Sequence, residues 1–400
     1  MTATLLAPYA NEWLDAALRY LHVVAAIAWI GASFYFIALD LHLRPPERRE
    51  DAERGVGGEV WEIHGGGFYR IEKFKLTPKR LPEPLYWFKW EAYTTWLSGF
   101  GLFVVLYYLN ANTYLVDRSV RALSPGAAVG ISIGLLVAAW VVYDLLCRAV
   151  ASDAVVGVVV LGLTVLAAWG STELFAARAA WLQIGAMLGT IMAANVFFVI
   201  IPAHWELVRA KEAGREPDAR WAVRGKQRSV HNNYLTLPVL VAMLSNHWGF
   251  LYGHTWSWAI LVSLMTTLAI VRHYFNLRHR GWNAWPILVA GAGVLALLGW
   301  LIRPQSTPVA ASAVPVSFAR VQAIVANRCA PCHSMQPTQP GFDAPPKGIA
   351  FDTAQEIVAR AQLIDQWAVQ SHAMPLGNLT GMTQAERDEV GAWVAQGAHR

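Results

Sequence analysis

Charge is scarce in this chain. Only 15% of its 400 residues are Asp, Glu, Lys or Arg, 55% are hydrophobic, and the mean hydropathy is +0.34. Soluble domains carry about a quarter charged residues, so the composition excludes a disordered, collagen-like or ordinary soluble globular chain. Cysteine is scarce too: Cys147, Cys329 and Cys332 cannot build a disulfide framework. Cys147 closes an apolar run and reads as a small buried hydrophobe. No Lys or Arg precedes Arg19, so the basic start of a secretory signal peptide is missing, and export must rely on membrane helices. No repeat of fixed period is visible. The net charge of +5 does not call for a nucleic-acid partner, because the basic residues stand beside apolar spans, where orientation in a bilayer explains them.

What the chain has in abundance is long apolar runs. They fall at about 17–41, 92–115, 126–147, 154–172, 179–203, 233–251, 256–275 and 282–302. Their continuity, as in Ala154–Trp169, argues for helices and against barrel strands, which would alternate apolar and polar residues. The expected fold class is all-α: an eight-helix polytopic membrane bundle over 1–302, a Pro/Ala linker over 303–315, and a small α-helical domain over 316–400. Lys and Arg number ten, one, seven and three in the odd connections, against two, one and none in the even ones. Arg228 and Arg272 fall on the odd side of that count. Positive charge is retained on the cytoplasmic side. Both termini are therefore expected outside, in the periplasm of a bacterium, with the chain in the cytoplasmic membrane. Trp256, Trp258, Trp282 and Trp285 fit interfacial belts.

The strongest local signal is Cys329-Ala-Pro-Cys332-His333. Two thiols at this spacing can form thioethers to a haem while the adjacent imidazole ligates the iron. A redox dithiol or half a zinc site is the alternative, but no second cysteine pair exists for zinc. The sixth ligand is expected at Met374, in Ser371-His-Ala-Met-Pro-Leu-Gly-Asn378, with His372 and Met382 as competitors and Met335 too close to the attachment site. An amphipathic run, Phe318–Asn327, precedes the motif, and Thr383-Gln-Ala-Glu386 reads as a capping box opening a terminal helix with Val390 and Trp393 on one face. Residues 316–397 resemble small class I cytochromes c, which implies one covalent haem c attached outside the cytoplasmic membrane.

Ionisable groups within spans invite functional readings. Candidates are His22, Asn195, Asn246, His247 and His273, with His204 and His231 at inner mouths; for His204, His273 and His279 an ordinary helix-end histidine accounts equally well. His22-x6-Trp29-x-Gly31 is similar to the first-span pattern of several haem-binding membrane families, so a non-covalent haem b in the bundle is a further expectation. The connection Tyr69–Glu91 interleaves basic and aromatic residues, which suits either a planar anion or a segment lying on anionic lipid.

Tyr69–Gly99, together with His231-Asn-Asn-Tyr-Leu-Thr-Leu-Pro-Val-Leu-Val-Ala-Met-Leu-Ser-Asn-His247, resembles the membrane-bound urate oxidase family, in which an eight-span domain carries a C-terminal cytochrome c. The resemblance covers essentially the whole chain. It implies oxidation of urate to 5-hydroxyisourate, with water as oxygen source. Electrons would pass to the haem and on to a respiratory acceptor such as a soluble cytochrome c or terminal oxidase. Urate is a planar anion, so Lys73, Lys75, Arg80, Asn232 and Asn233 are candidates for positioning it, and His22, Glu91, His231 and His247 for the base. The alternatives are a non-catalytic subunit passing electrons from quinol to a periplasmic cytochrome, and a transporter whose cytochrome is regulatory.

Overall fold

The computed structural model describes residues 3–303 and 315–400, so nearly all of the linker expected over 303–315 lies outside the described residues. Helices occupy each of the eight apolar runs. They are α1 (Ala3–His42), α3 (Trp90–Phe103, extended by a π-helical turn Val104–Tyr108), α5 (Pro125–Ala149) and α6 (Asp153–Thr172). Next come α7 (Ala177–Asn195), running through a π-helical turn Val196–Ile200 into α8 (Ile201–Glu212), then α9 (Ala219–Leu244), α11 (Ser257–His279) and α12 (Pro286–Leu301). Short helices α2 (Arg49–Glu53), α4 (Ala111–Tyr114) and α10 (Gly249–Tyr252) lie between them. Five stretches are long and apolar enough to cross a membrane: Ala10–His42, Pro125–Ala149, Asp153–Thr172, Ala177–Glu212 and Ser257–His279. The other three fall short by length or polarity, α12 by length and α9 by the charged and amide residues of its first half.

Local chemistry sets the helix starts. Ser124 and Ser152 each accept a backbone N–H, from Ala127 and Val155, and Pro125 occupies the first turn of α5, where its missing N–H costs nothing. Asp218 caps α9 through the amide of Arg220. α9 is the centre of the bundle, packed between α7 and α11 and also meeting α1. Gly185 of α7 permits that closeness, since a Cβ there would stand 2.5 Å from the Ala242 methyl.

The first long connection corrects the all-α expectation. Val56–His64 (β1) and Gly67–Phe74 (β2) form an antiparallel hairpin, turned by Gly65 and Gly66, both at positive φ. Neither Glu-Val-Trp-Glu-Ile-His nor Phe-Tyr-Arg-Ile-Glu-Lys-Phe alternates cleanly between apolar and polar residues, so no period-two pattern announced the strands. The hairpin is fastened to the end of α1: Lys73 pairs with Asp40 at 2.5 Å, and Arg44 bridges Glu59 through the backbone. The carboxylates of Asp51, Glu59 and Glu72 gather around Arg70 and Arg54, which neutralise them.

After residue 315 follow α13 (Phe318–Arg328), α14 (Ala354–Ala359), α15 (Ala361–Ile364) and α16 (Gln384–Ala395), around a core that includes Val321, Ile324, Ile364, Val390 and Trp393. Both arms of the Thr383–Glu386 capping box are formed, and Thr353–Glu356 opens α14 in the same way. This domain sits on the bundle end opposite the hairpin. Trp367 rests on Gly249, the Ser371 carbonyl on Gly253, and Gly377 against the carbonyls of Val116 and Thr113.

Candidate functional site

Two constellations stand apart in chemistry and in place. The first lies in the hairpin half of the bundle, where α9 turns polar side chains inward on two faces. Toward α5 and α7, the Asn195 amide donates to the Tyr143 hydroxyl (3.2 Å) and to Asn232 Oδ1 (2.8 Å), and Asn232 donates to the Met192 carbonyl. Tyr143 meets His231 Nδ1 at 2.7 Å, and His231 Nε2 meets Asp153 at 3.3 Å. Because the Tyr143 oxygen already accepts from Asn195, its own hydrogen points to Nδ1, leaving Nε2–H to donate to Asp153. The chain of donors thus runs from fully buried Asn195 to a carboxylate at the bundle surface.

A cavity of about 380 Å³ between α6, α9 and α11 is lined by Tyr143, Asp153, His231, Tyr234 and His273 over an otherwise apolar wall. Within that lining, Tyr234 and His273 are joined at 2.7 Å.

Two arginines are buried here. Arg228 pairs with Asp144 at 2.8 Å and lies over the Tyr143 ring. Arg272 donates to Asn233 Oδ1 at 2.8 Å, and Asn233 donates to Asn276. The sequence count assigned both arginines to aqueous connections. The structure corrects this: each lies inside a helix at 4% exposure, and the charge imbalance survives without them. Neither was a site candidate, because in sequence each stands among helix-end basic residues.

The other candidates scatter. Lys73, Lys75 and Arg80 are exposed on or after the hairpin, away from the buried network. Glu91 opens α3 with a buried Oε2 that lacks a hydrogen-bond partner. His22 is held by the Thr95 carbonyl (2.9 Å) and Ser98 (3.3 Å), its ring pressed on Gly99, where a Cβ would be 2.7 Å away. Its Nδ1 being engaged, Nε2 is the one nitrogen open to a ligand, and the contacts that hold the ring come from α3. His247 is exposed just past the C-terminal end of α9, whereas His231 lies midway along that helix. The four candidate bases are therefore not one cluster.

The second constellation is in the C-terminal domain. Cys329 and Cys332 are unpaired thiols at the end of α13. Burial pushes Cys329 up to about 12 and raises Cys332 as well. A thiol-exchange dithiol needs the opposite shift, so the pair does not suit redox exchange. His333 Nδ1–H donates to the Ile349 carbonyl at 2.9 Å, which fixes the tautomer and leaves Nε2 as the lone-pair nitrogen. Asp352 accepts from the Ser334 hydroxyl and the Met335 amide, bonds that hold its carboxyl below the usual range and brace the loop after the motif.

Met374 packs at the edge of the core that also contacts Cys329. Its amide donates to the Trp367 carbonyl, and its own carbonyl accepts from buried Arg387 at 2.7 Å. Met382 is sunk in the core, Met335 is 70% exposed, and His372 is exposed. The donor set of two thiols, one oriented imidazole and one thioether fits a covalently held haem.

These features define a class: a helical bundle with membrane-length helices, a buried polar network in one half, and a small appended helical domain carrying Cys-x-x-Cys-His. Within that class the assignment is specific. The model of the Urate oxidase N-terminal family matches residues 8–303, and the chain belongs to that family. No curated protein and no solved structure matches.

Proposed function

We propose that this protein oxidises urate to 5-hydroxyisourate in the bacterial cytoplasmic membrane, with all eight helical segments spanning. Both termini would be periplasmic, and electrons would leave through the C-terminal domain to a respiratory acceptor. The observation that carries the reading is the family match over the whole bundle. The cytochrome-like motif on the appended domain supplies the electron sink that such an oxidation needs. Urate plus water gives 5-hydroxyisourate, two electrons and two protons, so no oxygen molecule is consumed and no peroxide is formed.

Cys329 and Cys332 would hold the haem covalently, and His333 and Met374 would be the side chains that ligate its iron. Bound there, it supplies a one-electron acceptor used twice, at a potential that the Met374 thioether raises. The bundle's own residues do the rest. His231 is the favoured proton relay, because its two ring nitrogens already join a buried phenol to a surface carboxylate, so a proton arriving on one side leaves on the other. The charge imbalance between odd and even connections supports the orientation. A haem b on Nε2 of His22 is proposed as an intermediate carrier between the hairpin half and the periplasmic domain, which a hydrocarbon layer of roughly 30 Å separates. A Soret band that persists in a Cys329→Ser, Cys332→Ser, His333→Ala variant would support it, and a featureless spectrum would exclude it.

The test of the function is one anaerobic spectrum. Urate added to oxidised, full-length protein should reduce the haem and sharpen its α-band. No reduction by urate with full reduction by a quinol would replace this reading with that of an electron-transfer subunit.

A further inference from the structure

Arg272 is a buried cation without a counter-ion. It sits at 4% exposure on α11, facing α1 and α9, and among the described residues it makes no ion pair. Its Nε donates to Asn233 Oδ1 at 2.8 Å, its guanidinium lies 3.8 Å above the centroid of the Phe34 ring, and Nη2 is buried with no hydrogen-bond partner. Arg228, four residues before Asn232, is equally buried and its Nη1 likewise lacks a hydrogen-bond partner, but its charge is paired with Asp144 at 2.8 Å. The contrast matters. A charge out of water must be paired, and an unpaired one inside a bilayer-embedded bundle marks a place where the partner comes from elsewhere. The groups around Arg272 describe that partner. A planar guanidinium presents parallel N–H donors, Phe34 stacks beneath it and holds its plane, and Asn233 and Asn276 supply amides that can donate or accept.

We propose that Arg272 is the binding residue for the substrate anion, with Phe34, Asn233 and Asn276 completing a site for a flat, monoanionic heterocycle between α1, α9 and α11. The inference rests on the urate reading and names its recognition site. It separates recognition from the proton path: Arg272 and Asn233 lie on the α1/α11 side of α9, His231 and Tyr143 on the α5/α6 side. The anion supplies the missing charge and accepts the Nη2 hydrogen, and the exposed His42 with half-buried His279, their rings 4.9 Å apart, stand at the hairpin end of the same α1/α11 seam. An anionic lipid headgroup carries the same charge, so the experiment distinguishes the two sources.

Full-length protein in phosphatidylcholine nanodiscs is melted with and without urate, and its anaerobic reduction by urate is followed as a function of concentration. Wild type should be stabilised by urate. Arg272→Lys, which keeps the charge but not the fork, should raise KM at least tenfold with kcat changed less than threefold. Arg272→Met should lose the urate-dependent shift and, without ligand, melt no lower than wild type, because the unpaired charge is gone. A wild-type KM in both variants, with haem still reduced, would overturn this assignment and leave the function standing. Failure of wild type to be reduced would remove the function. In that case an Arg272-dependent shift with urate alone would keep the site, and none would remove both. If phosphatidylglycerol nanodiscs, and not urate, give the Arg272-dependent shift, the partner is a headgroup and the urate assignment falls.

Discussion

At the scale of single residues, side chains that look alike in sequence divide by what they touch. Met335, Met374 and Met382 are equally able thioether donors, yet Met382 is sunk in the core and Met335 stands in solvent. Met374 is held between them in position, its amide and carbonyl tied to the Trp367 carbonyl and Arg387. Met374→Ala should keep the haem covalently attached while lowering its reduction potential, measured by redox titration of the α-band. An unchanged potential would transfer the ligand role to another side chain. Glycine carries a comparable burden at Gly99, where Gly99→Ala would force the His22 ring off the Thr95 carbonyl and shift any absorption that depends on His22.

Among elements, the hairpin and α9 show two kinds of cohesion. The hairpin is held by charge. Hydrogen bonds from Arg70, then Arg54, keep the Asp51 carboxyl below its ordinary range, and Arg70 does the same for Glu59. Folded values below the unfolded ones mean that the stabilisation is fully present above about pH 4 and is lost as pH falls through the depressed values. Amide protection over residues 56–74, corrected for the intrinsic exchange rate, should therefore fall on acidification below about pH 4, and Arg70→Met should already lower it at neutral pH and so flatten the dependence. α9 is held by shape. Gly185→Ala should overpack the α7/α9 contact and cost about 1–3 kcal/mol, read as a lower melting temperature with an unchanged haem spectrum. A wild-type melting temperature would show that the helices can part without penalty.

For the molecule as a whole, the two constellations lie at opposite ends. The Met374 loop is turned toward the bundle, with Trp367 seated on Gly249 and Ser371 on Gly253, so the appended domain is docked by the side that carries Met374. Gly249→Val would put a side chain where the indole sits. It should raise hydrogen exchange on both Gly249–Tyr252 and Trp367–Ser371 and slow reduction by urate, while the haem spectrum stays. Unchanged exchange would mean that the docked contact does not hold the domains together.

The sequence by itself determined what depends on neighbours along the chain. Eight helical segments, the Ser124 and Ser152 starts, the Thr383–Glu386 box and the Cys-x-x-Cys-His turn follow from apolar runs and from bonds spanning three or four residues. Of the hairpin only the Gly65–Gly66 turn was legible, because the flanking segments do not alternate and owe their pairing to the ion pairs around Arg70. Only the tertiary structure decided which polar groups meet. Tyr143 and His231 are 88 residues apart, and Arg272 and Asn233 are 39 apart. An arginine near a helix end looks like an orientation charge until the helices beside it close over it. Whether a charge faces water or a phenyl ring is a property of packing between distant segments, which no local pattern encodes.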